Sequence, residues 1–179
     1  MIPSTPTVVR LSSLEAAELV KLVDNSYRDV QFAFANELAL IAEALALDAT
    51  EVIRAANVHY PRNNIPVPSP GVGGACLSKD PHILIDVASK AGYTPHLVPS
   101  GRLVNESMAE LIVERLNSAM LSLGKDLREA RVLIAGFAFK GYPETTDLRD
   151  STTLWLLEAM TGRVSEILDI KRGSKLELE

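Results

Sequence analysis

The run SSLEAAELVKLVDNSYRDVQFAFANELALIAEALAL, residues 12–47, decides how the rest of the chain is read. Ser12 and Glu15 stand at the spacing of a capping box, S-x-x-E, which predicts a helix start. Apolar residues follow at Ala16, Val20, Val23, Tyr27, Val30, Phe34, Leu38, Ile41 and Leu45, in the steps of three and four that mark an α-helix. About 34 residues at ~1.5 Å each make a rod of roughly 50 Å, too long for the surface helix of a small domain. The run reads as a spine that joins domains or pairs with a second copy of itself. Its other side carries Lys21, Asn25, Arg28, Phe32 and Asn36 within about 80° of one another. A solvated face is the plain reading of those residues. A lysine and an amide at i and i+4 can also present two donors to one ligand oxygen.

The second informative stretch is Pro61 to Pro81. Four prolines and three glycines at its start deny it regular helix or strand. It then delivers Cys76, the one cysteine of the chain. Ser78 is the natural N-cap of the helical pattern that follows, with Asp80 and Pro81 tolerated in the first turn. Cys76 is thus expected just ahead of a helix N-terminus and close to Lys79, and both features favour the thiolate, the nucleophilic form. Gly73 and Gly74 would let backbone N–H groups approach a bound oxygen. A lone cysteine is more often an inert buried residue, and a Gly-Gly pair is often only a turn. Their combination with a capped helix start moves the reading toward chemistry.

Totals narrow the classes. The 179 residues suit one domain, or one and a part. Hydrophobic residues make up 47% and aromatics 5%, so a core can form, and it is built mainly from Leu, Ala, Val and Ile. A net charge of −5 argues against nonspecific nucleic-acid binding. A single cysteine excludes an internal disulfide and fits a reducing compartment such as the cytoplasm. No apolar run approaches the ~20 residues that span a bilayer, so no membrane partner is expected. The first residues lack the pattern of a signal peptide. No metal site is expected.

Thr7 to Leu11 reads as a short strand with nothing before it to pair with. Asp48 to Glu51 opens a helix to about Asn57. A helix from about Lys79 to Lys90 closes at Gly92. Tyr93 to Pro99 is expected to be extended, and a further helix runs from about Leu103 to Leu123, ending at Gly124. At Arg131 the character changes. Arg131 to Gly136 is a buried-type strand, Ser151 to Met160 a helix ended by Gly162, and Val164 to Ile170 a second strand. This is one strand-helix-strand unit, the seed of a parallel sheet. Two parallel strands are too few for a stable sheet.

Taken together, five stretches resemble the UDP-glucose/GDP-mannose dehydrogenase family over residues 4–170. They are Ala17 to Asn25, Asn36-Glu37, Gly71 to Asp80, Gly136 to Lys140, and Asp147 to Ser151. Each is weak alone; all five in order are specific. The resemblance implies a mainly α fold: a helical dimerisation domain built on one long helix, like the C-terminal domain of 6-phosphogluconate dehydrogenase, followed by a truncated Rossmann-like α/β unit. It divides the chain into a remnant of an upstream NAD-binding domain (1–12), a helical central domain (13–125), the start of a UDP-binding α/β domain (126–170) and a polar tail of the kind left by cloning (171–179). No G-x-G-x-x-G occurs in the sequence, so the NAD domain is expected to be missing.

For the whole enzyme the resemblance implies oxidation of a sugar C6 alcohol to the carboxylate with two NAD reduced, supplying precursors for surface polysaccharide. Cys76 matches the family nucleophile, passing through a thiohemiacetal and a thioester. Lys21 and Asn25 match the residues that hold the C6 oxygen and stabilise the oxyanion. Asp80 matches the carboxylate that orients or activates water. Arg62, Val67, Gly71, Gly73, Gly74 and Lys140 match substrate-contacting positions, the arginine by reaching a neighbouring subunit's site. Lys79 and Arg149 match cofactor-side positions, Arg149 alternatively an interface one. Arg62 and Arg149 can also be plain surface charges. The loop looks more like the branch acting on UDP-N-acetylhexosamines such as UDP-N-acetylmannosamine, with UDP-glucose the alternative. A reading of another class is a homodimerisation module without catalysis. A weaker one is a relative of the 6-phosphogluconate or hydroxyacid dehydrogenases, which need no thiol.

Overall fold

The computed structural model describes residues 8–138 and 145–170. Helix α1, Leu14–Ala44, is the long spine. Helices α2 (Ala49–Asn57), α3 (Asp80–Lys90) and α4 (Leu97–Ser122) gather on it, with the irregular loop 58–79 running between α2 and α3. A short 3-10 turn, Leu127–Glu129, leads to β1 (Arg131–Ala135), α5 (Thr152–Met160) and β2 (Glu166–Ile170). The two strands pair in parallel, Arg131 opposite Glu166 and Ala135 opposite Ile170, as a strand-helix-strand unit requires. The mainly helical fold with a small α/β unit is the one the sequence implies.

Two cores result. In the α/β unit, Val113 of α4 is buried with Leu127, Ala130, Ile134 and Met160, flanked by Phe137, Leu156 and Ile167. Between α1 and α4 the closest approach is made at a glycine. A Cβ on Gly101 would lie 3.3 Å from the Val30 side chain and 3.4 Å from Ala33 Cβ, so the helices approach about as closely as side chains permit.

Several boundaries differ from the sequence reading, each for a local reason. Residues 8–11 form no strand, consistent with the lack of a partner, and Thr7 lies outside the described residues. The cap of α1 is Ser13, whose side chain accepts from the Ala16 N–H at 3.2 Å, rather than Ser12. Glu15 therefore sits in the second helical position and the S-x-x-E pair makes no capping box. Helix α4 begins at Leu97, six residues earlier than expected, with Pro99 in its first turn. Proline is tolerated there because its missing N–H has no intrahelical acceptor. Helix α1 stops at Ala44, short of Leu47. The Ala46 N–H bonds to the Glu43 carbonyl at 2.9 Å and the Leu47 N–H to the Ala42 carbonyl at 2.8 Å, a Schellman closure with Ala46 at φ +55. The same closure follows α3 and α4, where glycine occupies the left-handed position: Gly92 at φ +85 and Gly124 at φ +68.

Most of the apolar stripe of α1 does not face this chain's core, Val30 against Gly101 being the exception. Val20, Val23, Tyr27, Phe34, Ile41 and Leu45 are between 47% and 64% exposed. The buried face is instead Ser26, Asp29, Ala33 and Asn36, of which the spacing places only Asn36, on the polar side.

Ala46 offers a direct check on the helix end. An L-residue in the left-handed region costs about 1–2 kcal/mol that glycine does not incur. Ala46→Gly should raise stability to urea by about 1 kcal/mol; an unchanged or lowered midpoint would contradict the Schellman closure.

Candidate functional site

The cysteine loop is shaped by hydrogen bonds from every side. Asn57 of α2 closes a two-way amide clamp on Ile65, its Nδ2 donating to the carbonyl at 2.8 Å and its Oδ1 accepting the N–H at 3.0 Å. The Ser69 N–H is accepted by Asn36 Oδ1 of α1 at 2.7 Å. Arg102 of α4 reaches the carbonyls of Val72, at 3.5 Å, and Leu77, at 3.3 Å. These carbonyls lie in irregular chain and have no ladder partner, so they need donors from elsewhere.

Arg102 can serve them because it is itself held. Its guanidinium donates to Asp29 Oδ1 at 2.7 Å, and the two side chains are 2% and 0% exposed. Asn105 Nδ2 donates to the same oxygen at 2.9 Å, and Asn36 Nδ2 to Asn105 Oδ1 at 2.9 Å. Glu106, one turn on from Arg102, accepts its second branch at 3.0 Å and meets His82 at the surface. Burial pushes the Asp29 carboxyl above its ordinary value, against the opposing pull of the Arg102 charge and its hydrogen bond.

Ahead of α3 the chain makes a helical turn of its own. The Ser78 N–H bonds to the Gly74 carbonyl at 3.2 Å and the Asp80 N–H to the Cys76 carbonyl at 2.8 Å. Cys76 is exposed, with a free thiol, and lies one turn before Asp80. This turn also corrects the cap: Ser78 sits inside it and does not cap α3, whose N-cap position is Lys79. The Ser78 hydroxyl instead shares its one proton between Gly74 O at 3.0 Å and Asp150 Oδ2 at 3.1 Å.

Three of the four catalytic candidates meet at one carboxylate. Lys21 Nζ and Asn25 Nδ2 each donate to Asp80 Oδ2 at 2.6 Å. Asp80 is fully buried, and its Oδ1 has no hydrogen-bond partner. Burial alone would raise its pKa; the hydrogen bonds from Lys21 and Asn25, with the charges of Lys21 and Lys79, leave it below the ordinary carboxylate value. Lys21 is pushed up, first by its bond to Asp80, against the cost of desolvation, with the charges of Asp80 and Cys76 adding. Cys76 thus lies within electrostatic reach of Lys21. The remaining N–H groups of Lys21 and Asn25 can hold a substrate oxygen, beside a carboxylate whose second oxygen is buried without a partner.

The other candidates are more dispersed. Gly71 is buried at φ +97, and a Cβ there would meet the Asn105 carbonyl at 2.6 Å. Gly74 donates its N–H to the Asp150 carbonyl at 2.7 Å, so that group is engaged within the chain and not left for a bound oxygen. Val67 is 59% exposed. Arg62 stacks over the Tyr60 ring at 4.8 Å and bonds the Tyr60 hydroxyl. It lines a groove of about 300 Å³ with Val30, Phe34 and Ile65, and none of Lys21, Asn25, Cys76 and Asp80 belongs to that lining. Arg149 forks onto both oxygens of Asp147, its nearer contact 2.7 Å, and is 75% exposed. Lys79 is exposed beside the start of α3. Lys140 lies outside the described residues.

The sequence reading missed Asp29, Arg102 and Asn105. Their spacing was present: Arg102 and Asn105 stand three apart in α4, and Asp29 follows Asn25 by one turn.

Residues 15–107, more than half the chain, match the central domain of the UDP-glucose/GDP-mannose dehydrogenase family, and the chain belongs to that family. It is 39% identical over 143 residues to the UDP-N-acetyl-D-mannosamine dehydrogenase of Yersinia pestis, covering 79% of this chain and 33% of that protein. To the UDP-N-acetyl-D-glucosamine 6-dehydrogenase of Salmonella typhi it is 33% identical, covering 90% of this chain and 37% of that one. The structure of the UDP-N-acetylmannosamine dehydrogenase from Pyrococcus horikoshii superposes with a TM-score of 0.79 at 36% identity, over 90% of this chain and 38% of that one. The chain spans about a third of the length of the curated relatives it matches. Among the described residues no helix is long and apolar enough to cross a membrane.

Two outcomes test the site's construction. Arg102→Met leaves the Asp29 carboxylate buried without its counter-charge and should lower stability by about 3–5 kcal/mol in urea unfolding; a loss under about 1 kcal/mol would remove the pair from its structural role. The second concerns pH. Asp80 has a folded value below its ordinary 3.8, so its contribution is present above about pH 4 and lost as pH falls through the folded value. Asp80→Asn should flatten the fall of the melting temperature below pH 4; an unchanged slope would contradict the assignment.

Proposed function

We propose that this chain carries the catalytic centre of an NAD-dependent nucleotide-sugar 6-dehydrogenase, with UDP-N-acetylmannosamine as the first substrate and UDP-glucose as the alternative. The observation that carries the reading is the convergence of Lys21 and Asn25 on the buried Asp80, one turn from an exposed cysteine. The names of the relatives support the choice of sugar.

In this reading Lys21 and Asn25 hold the C6 oxygen. As the carbon becomes an aldehyde, Cys76 Sγ adds to it, and the two donors stabilise the oxyanion. Oxidation of the resulting thiohemiacetal leaves a thioester on Cys76. A water activated by Asp80 hydrolyses it, releasing the carboxylate and the thiol. NAD supplies the oxidising equivalents. The described residues do not fit a dinucleotide site: they hold no G-x-G-x-x-G turn, and the Arg149 guanidinium is taken up by Asp147. We assign NAD to residues outside this third of the enzyme. Residues 13–125 are then the central domain and 126–170 the start of the UDP-binding domain, with the enzyme in the cytoplasm.

A second reading, a dimerisation module, is favoured by the exposed stripe from Val20 to Leu45. The two are compatible: the stripe is the proposed interface of a two-fold homodimer, and Arg62, bordering Val30 and Phe34 in its groove, is the side chain proposed to reach the partner's substrate.

The test has three arms. The 179-residue chain alone should give no NADH at 340 nm and no micromolar NAD binding by calorimetry; either result would overturn the assignment of the cofactor. The enzyme containing this chain should oxidise a UDP-sugar, and Cys76→Ala should abolish turnover; residual thiol-independent activity with the same product would end the thioester reading. Light scattering should report a dimer, and a monomer at micromolar concentration would count against the interface.

A further inference from the structure

Asp150 is the point at which the α/β unit touches the cysteine loop. Its main-chain carbonyl accepts the Gly74 N–H at 2.7 Å, and its Oδ2 accepts the Ser78 hydroxyl at 3.1 Å. Gly74 and Ser78 stand two residues before and two residues after Cys76. The Gly74 carbonyl lies 3.0 Å from the Ser78 hydroxyl, so that hydroxyl's single proton is shared between the two acceptors across the turn that holds Cys76. The approach is close enough that a Cβ on Gly73 would lie 2.0 Å from the Asp150 carbonyl oxygen. Asp150 itself adopts φ +50, a left-handed conformation uncommon outside glycine, tolerated best by Asn and Asp. Ser151, fully buried, then caps α5 through the Thr153 N–H at 3.3 Å. The backbone is thus held in a disfavoured conformation where it faces the cysteine turn, the circumstance in which local strain points to a functional constraint.

We propose that Asp150 is a positioning residue that sets Cys76 in register with the loop joining β1 to α5. That loop leaves the carboxyl end of β1, the edge at which open α/β sheets take their ligands. The segment that borders the nucleotide's expected place thereby also fixes the nucleophile's turn. The inference rests on Cys76 being the nucleophile of the reaction proposed above. Its geometry distinguishes two contributions: the carbonyl bond to Gly74 is blind to the side chain, and the carboxylate bond to Ser78 is not. Ser78→Ala removes the second and the hydroxyl's contact with the Gly74 carbonyl, and leaves the Asp150 backbone alone. Asp150→Ala removes the second and also strains the left-handed backbone at φ +50.

Two measurements test this. In the enzyme containing this chain, assayed with UDP-N-acetylmannosamine and NAD, Ser78→Ala and Asp150→Ala should lower kcat about tenfold and leave KM for the UDP-sugar within about twofold. Asp150→Asn keeps the tolerance for positive φ and a side-chain oxygen for Ser78, and it should return kcat to within about threefold of the parent. In the 179-residue chain, iodoacetamide should alkylate Cys76 about threefold more slowly in the two alanine variants, with the melting temperature unchanged in Ser78→Ala and lowered in Asp150→Ala by the strained backbone. An unchanged alkylation rate in variants that fold would overturn the proposal. So would a raised KM with kcat intact, which would place Asp150 in substrate binding. Should either alanine variant fail to fold, the Asp150→Asn comparison and the other variant carry the same two readouts. If the parent enzyme oxidises no UDP-sugar, the functional reading fails, and the alkylation rates alone decide the positioning role.

Discussion

The buried pair between Asp29 and Arg102 is the constraint on which the cysteine loop depends. Ions in a protein interior are costly unless paired and fully hydrogen-bonded, and the α1–α4 interface is tight, with Gly101 packed against Val30 and Ala33. An apolar pair would suit such an interface as well for stability alone. What it could not do is provide donors for the Val72 and Leu77 carbonyls, which belong to irregular chain. Arginine carries five N–H donors in a fixed fork: Nη1 shares its two N–H groups among Asp29 and the two loop carbonyls, while Nε and Nη2 face Glu106. Asn105 and Asn36 extend the same logic, one bonding Asp29 and the other receiving the Ser69 N–H. The polar interior of the helical domain is a template for a loop that has no secondary structure of its own.

The glycines of that loop serve close approach before they serve a ligand. At Gly71 a side chain would strike the Asn105 carbonyl, and at Gly73 it would strike that of Asp150. Both conflicts are with backbone, which cannot rotate away as a flexible side chain can. The Gly-rich run therefore lets α4 and the segment before α5 press on the loop from two directions. Tight docking of this kind is what holds a reacting atom to the sub-ångström tolerance that catalysis requires.

What was legible in the sequence followed strong local signals. Helices ended by glycine were placed well, because Gly92 and Gly124 announce the left-handed residue that closes them. The end of α1 was not, because Ala46 takes the same conformation without a glycine to mark it. Pro99 was read as extended because proline breaks helices in the interior, while its position in the first turn of α4 carries no such penalty. The site was legible in part. Lys21 and Asn25 share a helical face by spacing alone, but their meeting with Asp80 requires α3 to pack across α1, and no local pattern encodes that. Asp29 and Arg102 lie 73 positions apart; each looks like a surface charge until the fold buries both. The Gly73-Gly74 pair was expected to receive a ligand oxygen, and the competing use, the Asp150 carbonyl, lies in a segment that only the tertiary structure brings near.

One helix carries much of this arrangement. Along its 31 residues, about 46 Å at the α-helical rise, α1 presents Lys21 and Asn25 near its start, Asp29 and Asn36 through its middle, and an exposed apolar stripe along another face. A helix transmits rotation rigidly: a turn about its axis that reseats the stripe also moves Lys21 and Asn25 relative to Asp80, and Asn36 relative to Ser69. Covering the stripe with a second copy, as proposed, would then do more than bury apolar area. It would fix the rotational setting of the helix and with it the two short hydrogen bonds to Asp80. In the proposed dimer, interface and site would be opposite faces of one rigid body, and a substitution at Val23 or Tyr27 would reach the carboxylate through the axis of the helix, without any contact of its own.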